Sequence, residues 1–218
     1  VYGPNHALHS GHYGNWAPNP AAQLAGILAS MRNGEGVILV PGYYDDVRPL
    51  AESDREALAG IPRVETELLR EFDLAWSEGG GARLEELVMR PALNVRGLAS
   101  GAVGDKAANA VPSEARASID FRLVADQRPE RVRELVETHL RNLGWTIVRE
   151  APGAETKRAT PRLVRLEWES GYPAYRSPLD APFSRALVRA LGPVTGGELV
   201  VMPALGGSIP MELFDRLL

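Results

Sequence analysis

The 218-residue chain contains 28 acidic and 24 basic side chains, so its formal net charge is -4 at pH 7. This charge excludes a general basic field for nucleic acid. The absence of cysteine excludes disulfides, thiolate metal sites and a cysteine nucleophile, and it fits a reducing compartment such as the cytoplasm. No apolar run approaches the ~20 residues of a membrane span, and no signal peptide is visible.

The first half of the chain is predicted to be mainly helical. A helix should begin at Pro20 and end before Asn33-Gly34, because apolar residues between them recur at helical spacing. Three more helices are predicted, at 51–60, 63–77 and 82–89, and they form a helical insertion at about 44–90. Within that insertion, Glu85 and Glu86 are expected to lie on a solvated helix face.

The second half alternates strands and helices. Residues 115–124 alternate apolar and polar side chains, which predicts a half-buried strand. Residues 128–142 predict an amphipathic helix with His139 on its apolar face. Further strands are predicted at 92–98, 145–150 and 163–168. With the insertion set aside, this order is typical of an α+β fold with a split β-α-β (ferredoxin-like) antiparallel sheet and helices on one face.

The pattern changes near residue 177. A helix at 181–191, a strand at 198–202, a glycine turn and a helix beginning at Pro210 form a parallel α/β pattern. We therefore expect one domain over 1–177 and an α/β remnant over 178–218. The chain starts at Val1 and its last residues resemble a helix cut short, so we expect it to be a fragment.

Three of the four histidines, His6, His9 and His12, lie within seven residues of one another. Binding of a common metal is disfavoured, because this spacing alternates faces of an extended strand and no nearby acidic residue completes a ligand set. The histidines could equally be ordinary surface and turn residues. A third interpretation is that one of them, best His9, donates a hydrogen bond to a substrate oxygen near neutral pH.

Five short strings occur in the order expected of one enzyme family. They are Leu8–Gly14, Gly42–Val47, Asn109–Pro112, Ala117–Gln127 and Gly206–Pro210. Together they resemble the dinuclear zinc peptidases, which include aminoacylases, carnosinases, succinyl-diaminopimelate desuccinylase and glutamate carboxypeptidases. One departure is Ala125, where the family commonly has proline. The resemblance implies that residues 1–177 are a lid or dimerisation domain and that 178–218 are a piece of the catalytic domain.

The resemblance also implies roles for five residues. His9 would reach across a dimer and stabilise the oxyanion of the tetrahedral intermediate, and Asn109 would hold the substrate from the same lid. Arg122 would bind the terminal carboxylate of the substrate, although it could be an ordinary exposed strand arginine. Gly207 and Ser208 would bind substrate from the catalytic half, or they could simply form a strand-to-helix turn.

The zinc ligands of this family include a His-x-Asp string and a late histidine, but this chain has no His-x-Asp and no histidine after His139. The resemblance therefore implies two zinc ions bound outside this chain, no metal site within it, and no activity of the chain alone. The parent enzyme would hydrolyse the amide bond of dipeptides or acyl-amino acids.

Self-association as a homodimer is expected through the helix at 18–33 and an edge strand. The sheet alone also allows an alternative, a non-enzymatic dimerising module of ferredoxin-like fold that binds small molecules or other proteins. RNA binding is disfavoured because the strands lack interleaved exposed aromatic residues, and neither nucleic acid nor a membrane is expected as a partner.

Overall fold

The computed structural model describes residues 1–207, Met211, Phe214 and Leu217, and it is a mixed α+β fold. Its strands are β1 (Leu8–His9), β2 (Ala92–Ser100), β3 (Ala110–Val111), β4 (Ala115–Arg122), β5 (Thr146–Val148) and β6 (Leu163–Arg165). Its helices are α1 (Ser10–Tyr13), α2 (Pro20–Met31), α3 (Glu52–Gly60), α4 (Glu65–Glu71), α5 (Leu84–Val88), α6 (Pro129–Asn142), α7 (Ala154–Ala159) and α8 (Pro182–Leu191). Within this described part, every helix is too short or too polar to cross a membrane.

The strands form three two-stranded sheets, of which the longest pairs β2 with β4 in antiparallel register. Residues 1–3 lie beside β4 and connect it to β6. The ammonium group at the N-terminus donates to the Ala115 carbonyl at 2.9 Å, and the Tyr2 N–H donates to the Leu163 carbonyl at 3.4 Å. Backbone hydrogen bonds therefore run from β2 through β4 and residues 1–3 to β6 and β5.

Helices α2 and α6 cover one face of this layer. The Asn19 side chain caps α2 by accepting a hydrogen bond from the Ala21 N–H at 3.0 Å, and Pro20 supplies the preset φ of the first turn. The two helices share one core with β4, and they bury Leu24, Ile27, Met31, Val132, Val136 and Leu140. The predicted α+β fold with helices packed on one face is thus confirmed.

Helices α3, α4 and α5 form the predicted insertion, which has a small core of Leu58, Ile61 and Met89. The Arg83 guanidinium links its turns by donating to the Leu58 carbonyl at 2.7 Å. The expectation that Glu85 is solvated is wrong, because Glu85 is buried and its carboxylate lies 3.9 Å from the Arg83 guanidinium. A five-residue helix is too short for periodicity to show which side faces its neighbours.

Two local features differ from the sequence prediction. Strands β5 and β6 pair in parallel, and residues 149–162, which contain α7, supply the crossover that a parallel pair needs. Residues 198–202, predicted as a strand, form none, and they pair with no described strand. The helix predicted to begin at Pro210 lies largely outside the described residues, and the boundary near 177 stays a prediction.

Candidate functional site

A two-stranded ribbon brings His9 and Asn109 together. Strands β1 and β3 pair antiparallel with His9 opposite Ala110, and the Ser10 N–H donates to the Asn109 carbonyl at 2.9 Å. Val111 anchors the ribbon because it is buried, whereas His9 and Asn109 are exposed. The structure therefore presents to solvent, side by side, the two residues that the sequence predicts to act from the lid.

The His9 imidazole is held by its own turn. Its Nδ1 atom accepts a hydrogen bond from the Gly11 N–H at 3.1 Å, which caps α1. The His9 ring also lies 5.0 Å from the His12 ring, tilted by 38°. Among the described residues, no three His, Cys, Asp or Glu side chains are close enough together to hold a metal ion. The geometry thus gives no support to a metal shared by the histidine cluster.

Arg122 lies at the last position of β4. Its Nε atom donates to the Asp120 carboxylate at 2.8 Å, and 56% of its side chain is exposed. Residues two apart on a strand point to the same face, so Asp120 orients the guanidinium at the end of the sheet. A planar guanidinium with several donors is well suited to bind a carboxylate ligand.

An open groove of about 2010 Å³ borders the β4 strand, and Arg122 and Gly207 are both among its lining residues. A Cβ atom built on Gly207 would meet no atom within 4 Å, so the backbone there stays accessible. Ser208, the last of the predicted substrate-binding residues, lies outside the described residues. Neither His9 nor Asn109 is among the described residues that line this groove.

The ribbon and Arg122 lie far apart within one chain. After β3 the chain bends at Ser113, residues 113–115 pair with the N-terminal residues, and β4 then runs from Ala115 to Arg122. At ~3.3 Å per residue, β4 carries the chain about 23 Å from Ala115 to Arg122. Arg122 lines the groove and His9 and Asn109 do not, so within one chain the described residues of the two sets border different surfaces.

One buried carboxylate was missed by the sequence analysis. Glu137 on α6 accepts hydrogen bonds from Arg133, Arg141, Arg149 and the Trp168 indole N–H, at 2.8 to 3.0 Å. Burial alone would raise the pKa of Glu137, but the hydrogen bonds from these arginines outweigh it and lower the pKa to about 2. Arg133 and Arg141 are each four residues from Glu137, and this spacing predicts ion pairs along one face of the helix. The cluster ties α6 to the end of β5.

Comparison with known proteins places these features in a family. Residues 1–144 match the model of the peptidase dimerisation domain. The Cys-Gly metallodipeptidase dug1 of Schizosaccharomyces pombe is 26% identical over 142 residues, which are 64% of this chain and 30% of that protein. The Beta-Ala-His dipeptidase of Homo sapiens is 29% identical over 150 residues, which are 62% of this chain and 27% of that protein.

Solved structures agree with the fold. The M20 family metallo-carboxypeptidase Sso-CP2 from Sulfolobus solfataricus superposes with a TM-score of 0.74 at 27% identity, covering 98% of this chain and 52% of that one. Human carnosine dipeptidase 1 gives a TM-score of 0.70 at 23% identity, covering 98% and 44%. The matched part of this chain spans less than a third of the length of each of the two curated dipeptidases described above. Because the family model matches 144 of its 218 residues, the chain belongs to the M20 peptidase dimerisation-domain family.

Proposed function

We propose that this chain is the lid and dimerisation part of a dinuclear zinc metallodipeptidase, which acts as a homodimer on the amide bond of dipeptides or acyl-amino acids. The observation that supports this most is the placement of His9 and Asn109 on one exposed ribbon, with Arg122 and Gly207 on a separate groove. The names of the relatives, which are metallodipeptidases and Beta-Ala-His dipeptidases, support the substrate class.

Each residue has a role that its chemistry suits. The His9 ring donates a hydrogen bond to the oxygen on which negative charge develops, and a donor positioned there is worth ~3 kcal/mol in the transition state. Asn109 holds the substrate beside it. Arg122 binds the terminal carboxylate through its guanidinium. Gly207 and Ser208 bind the substrate from the catalytic half, through backbone N–H groups and the serine hydroxyl.

The placement of these residues on different surfaces favours a site built from two copies of the chain. The ribbon precedes the Ala115 end of β4, whereas Arg122 lies at the other end of that strand, about 23 Å from Ala115. His9 and Asn109 also do not line the groove that Arg122 borders, so in this proposal His9 and Arg122 of one copy contact different substrates. A dimer resolves this, because His9 and Asn109 of one subunit then complete the site that contains Arg122 of the other. An isologous interface would form two such sites.

The metal centre lies outside this sequence in our proposal. The described residues offer no group that could hold a metal ion, so no metal-dependent step is assigned to them. Two zinc ions would be bound by the remainder of the parent enzyme, and the 218-residue chain alone would be inactive. We place the enzyme in the cytoplasm, which the lack of cysteine supports.

The proposal is tested by kinetics of the longer enzyme that contains this chain. His9→Ala is expected to lower kcat by about 10²- to 10³-fold, as loss of one oxyanion donor does elsewhere, with a smaller change in KM. Arg122→Ala is expected to raise KM chiefly, because it binds a part of the substrate that does not react. If His9→Ala keeps full kcat, the assigned role of His9 is wrong.

A further inference from the structure

The contact between His9 and Gly11 fixes the position of a proton. A backbone N–H can only donate, so the Nδ1 atom that lies 3.1 Å from the Gly11 nitrogen must be unprotonated. A neutral imidazole with a lone pair on Nδ1 carries its hydrogen on Nε2. We infer that the Gly11 N–H selects this tautomer and orients the His9 ring, so that Nε2–H is presented as a hydrogen-bond donor. The inference deepens the role proposed for His9 and rests on it.

The His9 ring lies so close to Gly11 that a side chain at position 11 would collide with it. A Cβ atom built on Gly11 would lie 2.9 Å from Cε1 and 3.1 Å from Nδ1 of His9. Gly11 has no left-handed φ and lies inside α1, so its backbone alone would tolerate alanine. The obstacle to a side chain at this position is therefore the His9 ring, which would have to move away from the amide.

The surrounding backbone holds the Gly11 amide in place. The Ser10 N–H bonds to the Asn109 carbonyl at 2.9 Å, and the Gly14 N–H bonds to the Ser10 carbonyl at 2.8 Å. These bonds connect α1 to the β1–β3 ribbon on one side and close its turn on the other. The His12 ring packs against the His9 ring. The ring is thus confined by the amide and by a neighbouring ring.

The Nε2 atom is left available for a ligand. His9 is exposed, and among the described residues no acceptor bonds to its Nε2–H. A neutral donor on an oriented ring can stabilise an oxygen that becomes negatively charged, and it needs no reorganisation during the reaction. Gly11 therefore acts as a positioning residue for His9, while His9 is the group that touches the reacting oxygen.

The first test is a nuclear magnetic resonance measurement on the ¹⁵N-labelled chain at mildly alkaline pH. We expect a scalar coupling across the hydrogen bond between the Gly11 nitrogen and His9 Nδ1, with Nδ1 unprotonated and Nε2 protonated. Gly11→Ala should abolish the coupling. The matched control is Gly26→Ala, because a Cβ on that exposed α2 position meets nothing within 4 Å, and it should keep the coupling.

The absence of this coupling in the unchanged chain, or a proton on Nδ1, overturns the inference. The coupling surviving in Gly11→Ala overturns the steric role of Gly11. The second test measures Gly11→Ala in the longer enzyme, where we expect a ten-fold or greater fall in kcat with KM nearly unchanged. Full activity of Gly11→Ala overturns the positioning role.

The two proposals fail in different ways. A missing coupling together with an inactive His9→Ala enzyme rejects the tautomer assignment and leaves His9 as the donor. A clear coupling together with a fully active His9→Ala enzyme rejects the catalytic role of His9 and leaves the tautomer assignment intact. His9→Asn separates capping from donation, because asparagine also caps a helix. We expect this variant to keep the stability of the chain and to lose kcat.

Discussion

Glu137→Gln should destabilise the fold by about 2 kcal/mol at pH 7. The carboxylate is 7% exposed and its pKa is lowered from 4.5 to about 2. At ~1.4 kcal/mol per pKa unit, this difference corresponds to an upper value of about 3 kcal/mol. The three arginine partners are roughly half exposed, and solvent screening reduces the value to about 2 kcal/mol. Urea unfolding followed by circular dichroism measures the loss.

The matched control is Glu134→Gln on the same helix. Glu134 is 69% exposed and its carboxylate lies 3.5 Å from Arg131, so we expect a loss below ~0.5 kcal/mol. The folded pKa of Glu137 is lowered, so its contribution is complete above about pH 4.5 and is lost as the pH falls through about 2. The gap between wild type and Glu137→Gln should close over that window. Equal losses in the two variants, or a gap independent of pH, would refute the reasoning.

Two further predictions concern the helices that cover the sheet. Burial lowers the pKa of His139, which also contacts the Ser30 hydroxyl at 3.0 Å, so its stabilising contribution is present above pH 6.5 and lost as the pH falls through its lower folded pKa. A histidine titration by nuclear magnetic resonance should give a midpoint below 6.5, and a midpoint above that value would contradict this. Asn19→Ala should cost ~1 kcal/mol in urea unfolding through loss of the α2 cap, and an unchanged stability would show that the cap contributes nothing.

Long periodic segments were predictable from the sequence. The sequence predicts α2, α6 and β4, and it also predicts which face of each is buried. The apolar residues recur at helical spacing in α2 and α6 and alternate in β4, because these faces pack against one core. The sequence also predicts the ends of α2, because Pro20 begins the helix and the Asn33-Gly34 pair follows its last residue, Met31, closely. The order of the five strings also predicts the family to which the chain belongs.

The features that depend on distant neighbours were not predictable. Glu137 is buried because Arg149 and Trp168 reach it from other parts of the chain. The arginines four residues away on α6 indicate ion pairs, but they give no sign of this burial. The two-residue strands β1 and β3 are too short to show a period, so only the resemblance related His9 to Asn109. The predicted strand at 198–202 has the right composition but no described partner.

The central claim is that one active site takes His9 from one subunit and Arg122 from the other, and subunit complementation tests it most directly. The His9→Ala and Arg122→Ala forms of the longer enzyme are each prepared, mixed in equal amounts, and allowed to exchange subunits. Activity is then measured at a substrate concentration well below the wild-type KM, where a variant with lowered kcat and a variant with raised KM are both slow. Half of the dimers should then be mixed, and each should contain one complete site, so activity should return to about one quarter of wild type. If the mixture stays as slow as its two components although mixed dimers form, both residues belong to the same subunit's site and the account is wrong.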